Sequence, residues 1–237
     1  MQDMKEKPVI THRWNLTPPA AAALQKQLAG RVIRRGLVTR AQLIAGGDCS
    51  FIDGGERIVA GIVVWDLRRR EIVERASVIR RVTFPYVPGL LSFREAPALL
   101  AAARKLRCRP HAWIIDAHGL AHPRRFGLAC HLGLWLDRPT IGCAKSRLWG
   151  EHAEPANHVG ACAALQDDGD EIGRVVRTRL GVKPVFVSIG HRVTLCGAVR
   201  LVLKCSPGFR LPEPTRLAHQ WVTQLRIAGS QGPRLTR

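Results

Sequence analysis

The chain has 237 residues, 46% of them hydrophobic, with 37 Lys and Arg against 18 Asp and Glu, a formal net charge of +19. That size and balance exclude wholesale disorder and a fibrous class, and they suit one α/β domain with a sizeable core. No apolar run approaches the roughly 18–20 residues that a membrane-spanning helix needs, and the start, MQDMKEKPVITHRWN, has no apolar signal core. A cytoplasmic, monomeric protein without membrane contact is expected.

Lysine occurs only at positions 5, 7, 26, 105, 145, 183 and 204, so nearly all the positive charge is arginine. A guanidinium presents a planar donor fork that suits phosphate and stays charged at physiological pH. A polyanion such as nucleic acid is therefore the expected partner, with an arginine-biased composition of no functional meaning as the alternative. Seven scattered cysteines form no C-x-x-C pair and read as reduced core fillers. His152 and Glu154 spell H-x-E, but no P-C-x-x-C follows, so the zinc-deaminase arrangement is excluded.

Residues 1–17 read as a flexible polar leader, 18–226 as a single domain and 227–237 as a flexible tail. In chain order, a helix is predicted over 18–35 from its proline-led, Ala- and Leu-rich sequence. Strands follow at 42–51, 58–67 and 71–82; their tight links, DGGE and RRRE, imply an antiparallel meander. Helical spacing of apolar residues marks 90–106 as a helix, and short buried strands are expected at 111–116 and 139–144, with an apolar helix at 126–136 between them. An extended run at 184–194 and helices at 195–205 and 212–226 complete the reading. The order implies a mixed sheet flanked by helices, the ordering of the ribonuclease H-like fold.

Phosphodiester hydrolysis on divalent metals needs converging carboxylates. Asp48 lies inside the first strand, Asp116 closes the fourth, and Glu95 sits in the first turns of the helix between them. A carboxylate in an apolar strand demands a partner or a metal, although Asp66 and Asp137 also end apolar segments. The stretch IIDAHGLAHPRRFG surrounds Asp116 with His118, His122, Arg124 and Arg125, which suit either phosphate and proton chemistry or an ordinary hydrogen-bonded loop. Tyr86, the only tyrosine, lies between Pro85 and Pro88, so its ring is either a rigid wedge for base steps or a packed turn residue.

Six segments together carry a likeness: AGGDCSF, PYVPGLLSFREAPALL, DAHGLAHPRRFGLACHLG, TIGCAKSRLWG, GHRV and GFRLPEPTRLAH, spread in order over residues 45–219. The chain resembles the endonuclease V, or deoxyinosine 3′-endonuclease, family from about residue 20 to residue 222. The resemblance implies a ribonuclease H-like fold and a nuclease dependent on Mg²⁺, with Mn²⁺ able to substitute. It further implies recognition of hypoxanthine in DNA and hydrolysis of the second phosphodiester 3′ to the lesion, leaving 3′-hydroxyl and 5′-phosphate ends. Asp48, Glu95 and Asp116 match the family's metal-binding acids, Lys145 its active-site lysine, and His219 a histidine near the metal in some members. Pro85, Tyr86, Val87 and Pro88 match a strand-separating wedge, and Leu91, Gly119, His122 and Leu148 match the pocket for the extruded base. Ala117 stands where the family usually has glycine, so its methyl enters that pocket reading, and Cys143 stands for a common valine. An inosine-specific endoribonuclease and a catalytically silent protein binding lesions or branched DNA are the alternatives.

Overall fold

A computed structural model describes residues 10–230. One eight-stranded mixed sheet runs through it, built from β1 (Leu43–Ile52), β2 (Arg57–Asp66), β3 (Glu71–Arg81), β4 (Ala112–Ile115), β5 (Thr140–Ala144), β6 (Cys162–Asp167), β7 (Asp170–Val176) and β8 (Val185–His191). Their order across the sheet is β3-β2-β1-β4-β5-β8-β7-β6. The first three strands form the expected antiparallel meander, β1, β4 and β5 run parallel, and β8 returns antiparallel beside β5. Five helices flank the sheet: α1 (Pro18–Ala29), α2 (Leu91–Ala103), α3 (Leu128–Leu136), α4 (Leu195–Lys204) and α5 (Glu213–Ser230). This is the ribonuclease H-like arrangement.

Successive strand residues point to opposite faces, and two adjacent glycines in β1 show how the layers use that alternation. A Cβ on Gly46 would fall 2.1 Å from the backbone of Pro214, at the start of α5, whereas one on Gly47 would meet Leu99 of α2 and Ile115 of β4. Helix α5 therefore lies directly on one face of β1, and α2 packs on the other. Two buried clusters result. Ile44, Ala112, Ile114 and Ile141 belong to one, and Ala45, Leu99, Trp113 and Ile115 to the other.

Three expectations are corrected. The helix beginning at Pro18 ends at Ala29 instead of continuing to residue 35, because the backbone beyond Gly30 has other partners: Ile33 receives a hydrogen bond from Arg192 and donates one to His191 Nδ1. The leader is not loose over 10–17. Ile10 is buried, His12 bonds His131 of α3, and Trp14 stacks on Trp135 at 5.4 Å. Residues 1–9 of that leader lie outside the described residues. At the other end α5 runs on to Ser230, so the tail cannot start at 227; residues 231–237 lie outside the description.

The hairpin β6–β7 was not anticipated. Its turn, Asp168-Gly169, has both residues at positive φ (52° and 82°), the backbone of a tight hairpin turn. That Asp-Gly pair was the available signal.

Candidate active site

Strand register brings the acids together. Gly47 of β1 pairs with Ile115 of β4, so Asp48 and Asp116 each occupy the next position along two parallel neighbours. Lys145 follows the last residue of β5, which pairs with β4 on its other side. Because Asp48 shares the face of Gly46, it meets α5, and His219 Nδ1 lies 2.7 Å from its Oδ2. Asp116 forms an ion pair with Lys145. Glu95, in the second turn of α2, is near enough for its charge to couple to both acids.

The electrostatics describe a surplus of negative charge. Burial, then the charges of Asp48 and Asp116, push the Glu95 carboxyl up to about 8. Asp116 is also raised, chiefly by burial, against the opposing pull of Lys145. Among the described residues no three His, Cys, Asp or Glu side chains stand ready to hold a metal ion; His219 and Lys145 occupy two of the acids. A cluster of hard oxygen donors that repel one another fits a divalent cation such as Mg²⁺, which would relieve that repulsion.

Beside the acids opens a cleft of about 580 Å³, lined among others by Asp48, Asp116, Ala117, His118, Lys145, Leu148 and His219. Tyr86 stands at its edge, 75% exposed, with Val87 and Pro88 on the cleft wall and Leu91 below. Pro85 precedes the ring outside the lining. Leu91 and Leu148 both offer exposed apolar surface to the cleft.

In the loop that bears Tyr86, several bonds converge on one atom. The carbonyl oxygen of Gly89 accepts hydrogen bonds from Gln25 Nε2 (3.1 Å), His122 Nε2 (3.0 Å) and Arg124 Nη2 (2.7 Å). Gln25, fully buried in α1, also donates to Phe126 O and accepts from Arg124 Nε. His122 Nδ1 accepts from the Arg124 amide, so this imidazole is neutral, in keeping with burial that lowers it to about 4. His118 donates from Nε2 to Ser146 O, and burial likewise lowers it to about 4.

The family model for Endonuclease V matches residues 26–220. The chain belongs to the Endonuclease V family. An Endonuclease V from Gloeobacter violaceus is 50% identical over 220 residues, covering 92% of this chain and 89% of that protein. The crystal structure of Endonuclease V from Streptomyces avermitilis is similar with a TM-score of 0.87 at 42% identity, over 93% of this chain and 98% of that one. The Ciona intestinalis Endonuclease V, solved in complex with a 24mer DNA containing an inosine followed by a ribo-adenosine, shares the fold with a TM-score of 0.77 at 24% identity, covering 89% of this chain and 98% of that one. Endonuclease V proteins are nucleases.

Several residues of the family pattern take up positions that the sequence did not reveal. Gly119 is not on the cleft wall. It is packed against β8, where a Cβ would fall 2.1 Å from Ile189 O, and its amide donates to Ser188 Oγ. Close backbone packing explains this glycine. His122 does line the cleft, but both its ring nitrogens are already engaged. Arg124 and Arg125 are committed within the protein, to Gln25 and Gly89 and to Asp167 respectively, and so do not serve as ready phosphate clamps. Ala117 does line the cleft, is buried, and is absent from the positive-φ residues, so alanine fits this backbone without strain. Gln25 was missed because a single glutamine in an Ala-rich helix reads as surface.

Proposed function

We propose that this chain is a metal-dependent endonuclease that extrudes a hypoxanthine base from DNA and hydrolyses the second phosphodiester on its 3′ side. The observation that carries the reading is the side-by-side placement of Asp48 and Asp116, with Glu95 charge-coupled to both, next to a cleft edged by the exposed ring of Tyr86. Membership of the Endonuclease V family supports the nuclease activity. An inosine-bearing oligonucleotide bound by the Ciona protein, which shares this fold, suggests the substrate to try.

Asp48, Glu95 and Asp116 would hold Mg²⁺ or Mn²⁺, which when bound supplies an activated water and stabilises the leaving oxygen. The residues of the chain do the remainder. Lys145, already beside Asp116, places positive charge next to the scissile phosphate. Tyr86 fills the gap left in the stack while the base enters the cleft between Ala117 and Leu148. Extrusion costs least where pairing is weak, which favours a mispaired lesion.

A denaturing-gel assay on a duplex with one inosine tests this, run with Mg²⁺, with Mn²⁺ and with chelator. Nicking one bond beyond the 3′ neighbour of the lesion, lost with chelator, is expected. Asp116→Asn, which keeps size and removes charge, should lower the rate by about a hundred- to a thousandfold, the scale of one lost electrostatic contact at a reacting centre, while gel-shift binding persists. Nicking by Asp116→Asn at the wild-type rate would overturn the assignment. A matched RNA strand in the same assay reads the sugar preference.

A further inference from the structure

We infer that Asp167, at the end of β6, is a positioning residue that fixes the spacing between the two walls of the cleft, and with it the fit of the extruded base. The inference rests on reading that cleft as the base site. One wall is the turn after Asp116, which contributes Ala117 and His118; the other is the segment after β5, which contributes Ser146 and Leu148. At the inner side they are tied by the hydrogen bond from His118 Nε2 to Ser146 O, 3.0 Å.

The outer tie centres on one carboxylate oxygen, with a longer 3.4 Å bond from Arg125 Nη2 to the Asp167 carbonyl beside it. Asp167 Oδ2 accepts Trp149 Nε1 at 2.7 Å and pairs with Arg125 Nη2, also at 2.7 Å. Trp149 directly follows Leu148 of one wall. Arg125 belongs to the other, where its amide donates to His122 O at 2.8 Å. Arg125 is held at φ 53°, a left-handed conformation unusual for a long side chain, so its position needs an anchor. The hairpin is itself fixed to the second wall, because Glu151 and Gln166 exchange both backbone hydrogen bonds, 2.7 and 2.9 Å. Moving either wall outward therefore breaks a contact to Asp167. None of these groups touches the acid cluster, so the effect falls on fit.

The test is steady-state nicking by the full chain with Mg²⁺, on duplexes carrying either one inosine or only normal purines. Asp167→Ala should raise KM for the inosine duplex by about tenfold, the equivalent of one lost charge-assisted hydrogen bond. It should change kcat less than KM and narrow the preference for inosine. Trp149→Phe, a milder change at a partly exposed ring, should shift both quantities in the same direction. Adding Trp149→Phe to Asp167→Ala should then change little more, because both act through one oxygen. Asp167→Glu should recover part of the preference, which loss of stability alone would not predict. If the wild-type protein nicks inosine DNA while Asp167→Ala and Trp149→Phe keep its KM and preference, the inference fails. If the wild-type protein nicks no inosine duplex, the reading of the cleft fails, and this inference with it.

Discussion

At the scale of single residues, the acids were legible because burying a carboxylate in an apolar strand is costly, so each needed a reason to be there. Asp48 and Asp116 could be picked from strand pattern, yet only the register of β1 on β4 shows that they are neighbours. Gly119 and His122 were harder. Both sit in the turn after Asp116, but one is a contact between backbones and the other a brace for Gly89. No local pattern separates a glycine that faces a ligand from one that faces a strand. Ala117 offers the sharpest residue-level prediction. Its backbone is unstrained and its methyl is buried at the cleft, so Ala117→Gly removes packing without relieving anything. Loss of one buried methyl and added freedom of the unfolded chain should cost about 1–2 kcal/mol, read as a fall of a few degrees in thermal midpoint. The wider cleft should accept normal purines more readily, so the ratio of inosine to unmodified nicking should drop while metal dependence holds.

At the scale of elements, the meander, α2, β4 and α3 followed from periodicity and turn chemistry, and their ends moved by only a few residues. The hairpin β6–β7 did not, since five of the thirteen residues in its strands are exposed and its apolar alternation is weak. The N-terminal segment was misread for a different reason: its polar residues find partners only through tertiary contacts. His12 Nδ1 lies 2.9 Å from Arg13 O, and donating there leaves Nε2 free to accept from Trp135 Nε1 at 3.2 Å and from His131 Nε2 at 2.7 Å. That inventory requires the His12 imidazole to be neutral, and burial is the main cause lowering both His12 and His131 below their ordinary value. A histidine lowered in the folded state contributes stability above about pH 6.5 that is lost as pH falls. His118 and His122, both near 4, act in the same direction. From pH 7.5 to 5 these histidines should pull the thermal midpoint down, against the opposite pull of the raised Glu95 carboxyl, and His131→Phe should change the slope towards a higher midpoint at low pH. An unchanged slope would remove the paired imidazoles from the explanation.

For the molecule as a whole, charge and stability meet at the acid cluster. Glu95 is raised to about 8, above its ordinary value near 4.5. Its contribution is fully present below pH 4.5 and lost as pH rises through 8, so the metal-free protein carries a growing repulsion there. A divalent cation should offset it. Adding Mg²⁺ to a hundredfold excess over its Kd should stabilise the fold by about 2.7 kcal/mol, and the gain in thermal midpoint should appear at lower Mg²⁺ at pH 8.5 than at pH 6.5. Asp48→Asn should reduce that gain, and an equal gain in the variant would remove Asp48 from the metal set. The net charge of +19 was legible from composition, but nothing in composition says where on the surface it works. With three donors converging on Gly89 O, the loop bearing Tyr86 is clamped to α1 and to the turn after Asp116. If that loop is the wedge proposed above, it does not bend to meet its target, and the double helix must do the yielding. On the proposed function, such an enzyme would work as a stiffness gauge, sampling how readily each base step gives way before any chemistry begins.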